Sequence, residues 1–451
     1  MTVSLTLHLP ADAAQSGTLV LRIGDLAPVQ VPITVASGLS AVTLGVPGQT
    51  WTPGQSVDAG LVGSLAAGVT EAPALTLPLQ GVGLWITGYP ATCTPGPDTT
   101  ITCQPGPVSP TGTVDYGTFT VAVLPAENGQ QELTATLPGG QANPVAGPSA
   151  APLAPNDPVD LTGPFGGVQV GAASLWCDTP ETARANCRGG LSPTDDPQAV
   201  SVPVGATVVA AILTWAATAP AEVSDPDAFD TVTLHVDDVA TAIDPQEAVA
   251  PAAPDGNLWV RSALVTDELA TGGHSVWVEG IDAARQGTTL SPMAGWSLTV
   301  IWTDPSADAT VQYTDPQFAS PCAQSTDPAT PHDPCIPSVS TSRGDITEIA
   351  PQGAAIIDLT TTIWAADPWA DKSIQVGGQD ITTPKIAGVR DQPDGFHATG
   401  FDLLTNIAAP KDQDVGLRNT TGPVILGFPL GLSDLDQLWV GPTLVLRQPG
   451  T

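Results

Sequence analysis

Val3-Ser4-Leu5-Thr6-Leu7-His8-Leu9 places an apolar side chain at every odd position and a polar one between. In an extended backbone successive side chains point to opposite faces, so this period of two makes one oily face and one wet face. Similar strand-like runs recur at residues 18–23, 29–35, 57–61, 99–103, 117–123 and 131–137, most with Gly, Pro, Asn or Asp close by. Many are rich in Thr and Val, whose branched Cβ suits a pleated surface. Short strands at this spacing predict a β-sandwich or barrel.

Composition narrows the choice. The 451 residues include 46 Gly and 47 Pro, a density of punctuation that excludes long helices and with them helical bundles. Length alone allows two to four domains. There are 45 acidic residues against 12 basic ones, a formal net charge of −33. A nucleic-acid partner is excluded, because a phosphate backbone needs a basic stripe. Docking on anionic lipid is disfavoured for the same reason. No run of eighteen apolar residues occurs, so no membrane insertion is expected in this segment. Met1-Thr2-Val3-Ser4-Leu5-Thr6 shows no basic stretch leading into a long apolar one, so no leader peptide is expected within it.

The six cysteines fall into three close pairs, Cys93/Cys103, Cys177/Cys187 and Cys322/Cys335. An even count in local pairs reads as three disulfides formed in an oxidising compartment. No pair is CxxC, and His332 between Cys322 and Cys335 makes only an incomplete metal site. These observations are reconciled by an extracellular, cell-surface location for a segment of an exported protein.

Residues 138–158, PGGQANPVAGPSAAPLAPNDP, keep no apolar period and read as an extended, semi-rigid linker. Beyond it the strands turn more apolar, and nine of the eleven Trp lie between residues 176 and 439. Residues 210–215 (AAILTW) and 297–302 (SLTVIW) read as central strands. Helical patterns are short, at residues 179–186 and 266–270.

Val42-Thr43-Leu44, Thr52-Pro53-Gly54-Gln55-Ser56-Val57, Leu75-Thr76-Leu77-Pro78, the Cys93…Cys103 hairpin and Gly117–Val123 together give residues 41–137 a resemblance. They resemble the Ig-like repeat found in tandem arrays on bacterial surface proteins. Residues 1–39 look like the end of a preceding repeat. Ala211-Ile212-Leu213-Thr214-Trp215, Asp230–Leu234, Arg261–Thr266, Ala294–Pro305 and Gly400-Phe401-Asp402 give residues 159–450 a second likeness. It is to a jelly-roll-like surface domain from exported proteins of high-GC Gram-positive bacteria. Thr214 departs from that pattern, which has tyrosine there, as does the cysteine-bearing loop at 322–335. The resemblance implies location and a structural or adhesive role rather than a reaction.

Catalytic motifs are absent: no Gly-x-Ser-x-Gly elbow, HExxH, Walker loop or dinucleotide fingerprint occurs. The five histidines, His8, His235, His274, His332 and His397, read as surface residues, with His274 in a turn. No cofactor is expected; calcium is the one ion the acidic loops suit, with Asp225, Asp227 and Asp230 the first choice of ligands. Arg343-Gly344-Asp345 resembles an integrin-binding tripeptide. Trp364 and Trp369, beside Asp367 and Asp371, suit sugar stacking around a turn. Isopeptide crosslinks need Lys, and only Lys372, Lys385 and Lys411 are present, none in a clearly apolar strand.

The sequence therefore predicts an all-β chain, an Ig-like sandwich followed by a larger jelly-roll-like sandwich. Its parts are a partial segment at 1–39, a repeat at 40–137, the linker at 138–158, and a module at 159–451 that could divide near 318–345. The predicted function is non-catalytic adhesion to a host, matrix or polysaccharide surface, with self-assembly of the chain left open. Two alternatives stand beside it: a carbohydrate-binding or carbohydrate-active protein, and a virion or fibre component.

Overall fold

The computed structural model describes residues 16–21, 28–34, 38–46, 49–97, 99–125, 131–138, 140–173, 175–177, 187–189, 197–218, 231–249, 258–281, 294–304, 306–307, 309–319, 356–366, 374–376, 379–381, 397–398, 400–404 and 438–447. Among them the chain is all-β, with multiple sheets and no α-helix. It divides into two compact units, Met1–Leu153 and Ala154–Thr451. No helix of the described residues is long and apolar enough to cross a membrane.

In the first unit β1 (Ser16–Leu21) and β2 (Val29–Thr34) form an antiparallel ribbon. Then come β3 (Leu39–Leu44), β4 (Thr50–Trp51), β5 (Ser56–Leu65), β6 (Leu75–Pro78), β7 (Gln80–Gly81), β8 (Leu84–Gly88) and β9 (Cys93–Pro95). They are followed by β10 (Thr100–Cys103), β11 (Thr113–Val123), β12 (Glu132–Leu137), β13 (Gln141–Ala146) and β14 (Ser149–Ala150). Ten of these make one sheet in the order β7-β8-β11-β5-β3-β13-β12-β6-β10-β9. Strands from both halves of that path share one core, including Leu61, Phe119 and Val121 with Leu75, Leu77 and Ile101. The sheet therefore curls over its own apolar face. A bulge between Asp115 and Gly117 switches the parity of β11, so that Val114 and Tyr116 point inward before it and Phe119 and Val121 after it. Gly117 is required there: its φ is +106°, and a Cβ would stand 2.7 Å from the Pro90 ring.

One expectation needs correction. Residues 141–146, inside the predicted linker, form β13, which pairs antiparallel with β12 and parallel with β3. Pro144 has no N–H to give to a ladder. It is tolerated because β3 engages only from Val145 onward.

The second unit begins with β15 (Val159–Gly163), β16 (Phe165–Ala173), β17 (Leu175–Cys177), β18 (Cys187–Gly189), β19 (Gln198–Val202) and β20 (Thr207–Thr218). It continues with β21 (Val232–Val236), β22 (Val239–Ile243), β23 (Glu247–Val249), β24 (Leu258–Leu264), β25 (Gly272–Glu279), β26 (Ala294–Thr303), β27 (Ala309–Thr314) and β28 (Gln317–Ala319). Its last described strands are β29 (Ile356–Ala366), β30 (Ile374–Val376), β31 (Gln379–Ile381), β32 (His397–Ala398), β33 (Gly400–Leu404) and β34 (Leu438–Arg447). Three larger sheets carry the unit: β19-β25-β21-β22, β16-β26-β20-β24-β23 and β15-β27-β34-β29-β33. The second is the middle layer. Leu213, Trp215, Leu298 and Val300 pack from it onto Val200, Leu234 and Val276 of the first sheet. From its other face Gln169 reaches Thr362 and the Pro442 carbonyl of the third. Residues 210–217 are accordingly all buried, as a central strand requires. The helix expected at 266–270 is a single 3-10 turn, Thr266–Glu268. The strand expected at 3–9 and the helix at 179–186 lie outside the described residues.

Candidate functional site

The outer face of the β19-β25-β21-β22 sheet gathers chemistry-bearing side chains. Alternation turns Val232, Leu234 and Val236 of β21 and Val276 and Val278 of β25 into the core. It turns Thr233, His235, Trp277 and Glu279 outward. The antiparallel register sets His235 opposite Trp277 and Thr233 opposite Glu279. The two rings stack at 4.8 Å between centroids and 9° between planes. His235 Nε2 lies 3.1 Å from Glu279 Oε2 on the diagonal. The neighbours on the flanking strands are small and exposed: Ala240 and Ala242 on β22, Ala199 and Ser201 on β19. A half-buried aromatic pair thus lies beside small exposed side chains, with an exposed carboxylate next to it. The part of such a pair that meets solvent can stack on an apolar ring face, while Glu279 accepts and His235 donates or accepts hydrogen bonds.

At the end of the same sheet Asp237 closes the β21–β22 turn with φ +54°, an angle Asp tolerates. Its Oδ1 accepts from the Ser275 backbone N–H at 2.8 Å, and its Oδ2 lies 2.9 Å from His274 Nδ1. These contacts, the Ser275 N–H first and His274 second, hold the Asp237 carboxyl below its usual range. His274 Nε2 donates to the Ala270 carbonyl at 3.0 Å. Both ring nitrogens are engaged, so the ring pins a strand end and offers no free base. His274 begins a strand interior rather than a turn, a correction that follows from β25 opening at Gly272.

The predicted residues fall as follows. Cys93 and Cys103 are disulfide-bonded, buried, and opposite one another on β9 and β10. The backbones of Cys177 and Cys187 face each other across the β17–β18 ladder. Trp364 lies on β29, in register with Phe401 and Trp439. Cys322, Cys335, Asp225, Asp227, Asp230, Arg343, Gly344, Asp345 and Trp369 lie outside the described residues. Among the described residues no group of three or more His, Cys, Asp or Glu is placed to hold a metal ion. Sequence reasoning read His235 as a surface residue but missed its pairing with Trp277 and Glu279. The contact spans 44 residues and depends on register.

No protein-family model matches the chain, and no curated protein matches it. Among solved structures, it is similar to the C-terminal domain of the Streptococcus pyogenes antigen I/II-family protein AspA. The identity is 10%, over 60% of this chain and 93% of that one, with a TM-score of 0.16. It is also similar to the C-terminal domain of the Streptococcus agalactiae AgI/II polypeptide BspA, at 9% identity over 60% and 93%, with a TM-score of 0.14. Scores of this size are far below those of proteins that share a fold.

Proposed function

We propose that this chain is part of an exported, non-catalytic surface protein that adheres to polysaccharide through the outer face of the β19-β25-β21-β22 sheet. The observation that carries the reading is the half-buried Trp277–His235 stack beside exposed Ala and Ser, with Glu279 alongside. A pyranose offers an apolar face to such a pair and hydroxyls to the carboxylate. Export is supported by the buried Cys93–Cys103 bridge, which forms and persists in oxidising compartments. A binding rather than a chemical role is supported by the engagement of both His274 nitrogens and by His235 being held between Trp277 and Glu279. The net charge of −33 favours neutral or basic glycans over acidic ones.

The test is retention of the full chain on a panel of immobilised neutral, amino and acidic polysaccharides. At least one neutral or amino polymer retains the wild type, and Trp277→Ala weakens that retention about tenfold or more, as expected for loss of a stacking contact. Far-ultraviolet circular dichroism and the melting midpoint confirm that the variant is folded. A wild type that binds none of the panel, or a folded Trp277→Ala variant that binds equally well, sinks the reading.

A further inference from the structure

Gln169 on β16 and Thr362 on β29 meet between the middle sheet and the sheet behind it, at 3% and 0% exposure. Gln169 Nε2 lies 2.9 Å from Thr362 Oγ1 and 2.9 Å from the Pro442 carbonyl oxygen. That carbonyl can only accept, which fixes the nitrogen end of the amide. Gln169 Oε1 has no hydrogen-bond partner among the described residues. Neither has the hydroxyl of buried Thr299, the residue directly across the ladder from Gln169. A hydroxyl and a carboxamide are therefore held in contact away from water.

We propose that Thr362 and Gln169 become joined by an intramolecular ester. Oγ1 of Thr362 attacks Cδ of Gln169, and the Cδ–Nε2 bond breaks. In the tetrahedral intermediate Nε2 is an amine and takes up the hydroxyl proton, so ammonia leaves. Amide plus alcohol gives ester plus ammonia, and no other reactant is needed. Two groups fixed in contact react as though at an effective concentration of about 10⁵–10⁸ M when well oriented. The product also relieves the interior. An ester carbonyl is a weaker acceptor than an amide carbonyl, so leaving it unpaired costs less. The link joins strands whose reacting residues are 193 apart in sequence and ties two layers of the second unit covalently. It does not depend on the polysaccharide reading.

Intact mass spectrometry of the denatured, disulfide-reduced full chain tests this. The wild type weighs less than its sequence by one ammonia, and proteolysis releases one branched peptide joining the Gln169 and Thr362 segments. Hydroxylamine, which cleaves esters and spares amides, separates the two. Thr362→Val restores the full mass of its own sequence, and so does Gln169→Leu. A wild-type mass equal to the full sequence overturns the proposal without any variant. A deficit that persists in Thr362→Val also overturns it, since the ammonia then comes from another residue.

Discussion

The strands Glu132–Leu137 and Ala294–Thr303 both alternate apolar with small or polar residues, yet they lie in opposite surroundings. In β12 the alternation divides core from solvent: Leu133, Ala135 and Leu137 are buried, while Glu132, Thr134 and Thr136 are exposed. In β26 both sets are buried. Trp296, Leu298, Val300 and Trp302 join an apolar core. Ser297 and Thr299, each at 0% exposure, face the sheet behind. A polar residue at every second position thus marks a second face without saying what covers it. The first unit uses one apolar face, curled on itself. The second sandwiches its middle sheet between an apolar interior and one lined with hydroxyls and an amide.

The largest expected effect breaks or upholds that contrast directly. Phe119, at 0% exposure in the first unit's core, loses packing on Phe119→Ala and leaves a cavity, a cost of about 3–5 kcal/mol. Ser297 is equally buried, but its hydroxyl has no partner among the described residues. Ser297→Ala removes a desolvated polar atom at nearly constant volume, so stability stays level or rises by up to about 1 kcal/mol. Urea unfolding followed by tryptophan fluorescence reads both. A comparable loss in Ser297→Ala would show that the polar interior is stabilising in its own right.

The Cys93–Cys103 bridge sharpens the contrast from the other side. It fastens β9, the edge strand of the ten-stranded sheet, to β10. Replacing both cysteines by serine frees a short loop in the unfolded chain and lowers stability by about 2–3 kcal/mol. An unchanged urea midpoint in the double variant would mean that the curled sheet holds its edge without the bridge.

How much of this was legible follows from the same two strands. β5, β11 and β12 were readable because their faces differ in polarity and their ends carry turn residues. β13 was not, because Asn143 and Pro144 mask a strand that forms only when β3 and β12 offer partners. Cys93–Cys103 was readable because both residues sit on one hairpin. The stack of His235 on Trp277 needs the register of β21 against β25, which no local pattern encodes. Gln169 and Thr362 were invisible for a stronger reason. They belong to different sheets, and only layer packing brings them together.

A last effect is a pH dependence that arises in the second unit. Asp315 follows β27, and burial raises its carboxyl to about 6, against a partial offset from its own backbone N–H. Its charge in turn adds to the burial that pushes Tyr313 up. Well below pH 4 the Asp315 carboxyl is neutral in both folded and unfolded chains, and the fold carries no penalty from it. As pH rises from about 4 to about 6 the unfolded chain ionises first, so stability falls, and above that window the loss is complete. Asp315→Asn cannot ionise. Its melting midpoint should exceed that of the wild type at pH 8 by much more than at pH 4, and subtracting the two curves cancels the many exposed carboxylates common to both. A difference that is flat between pH 4 and 8 would mean that Asp315 meets water in the folded chain. A difference of opposite sign would mean that a cation reaches it, and the polar side of the second unit would then be an open face rather than an interior.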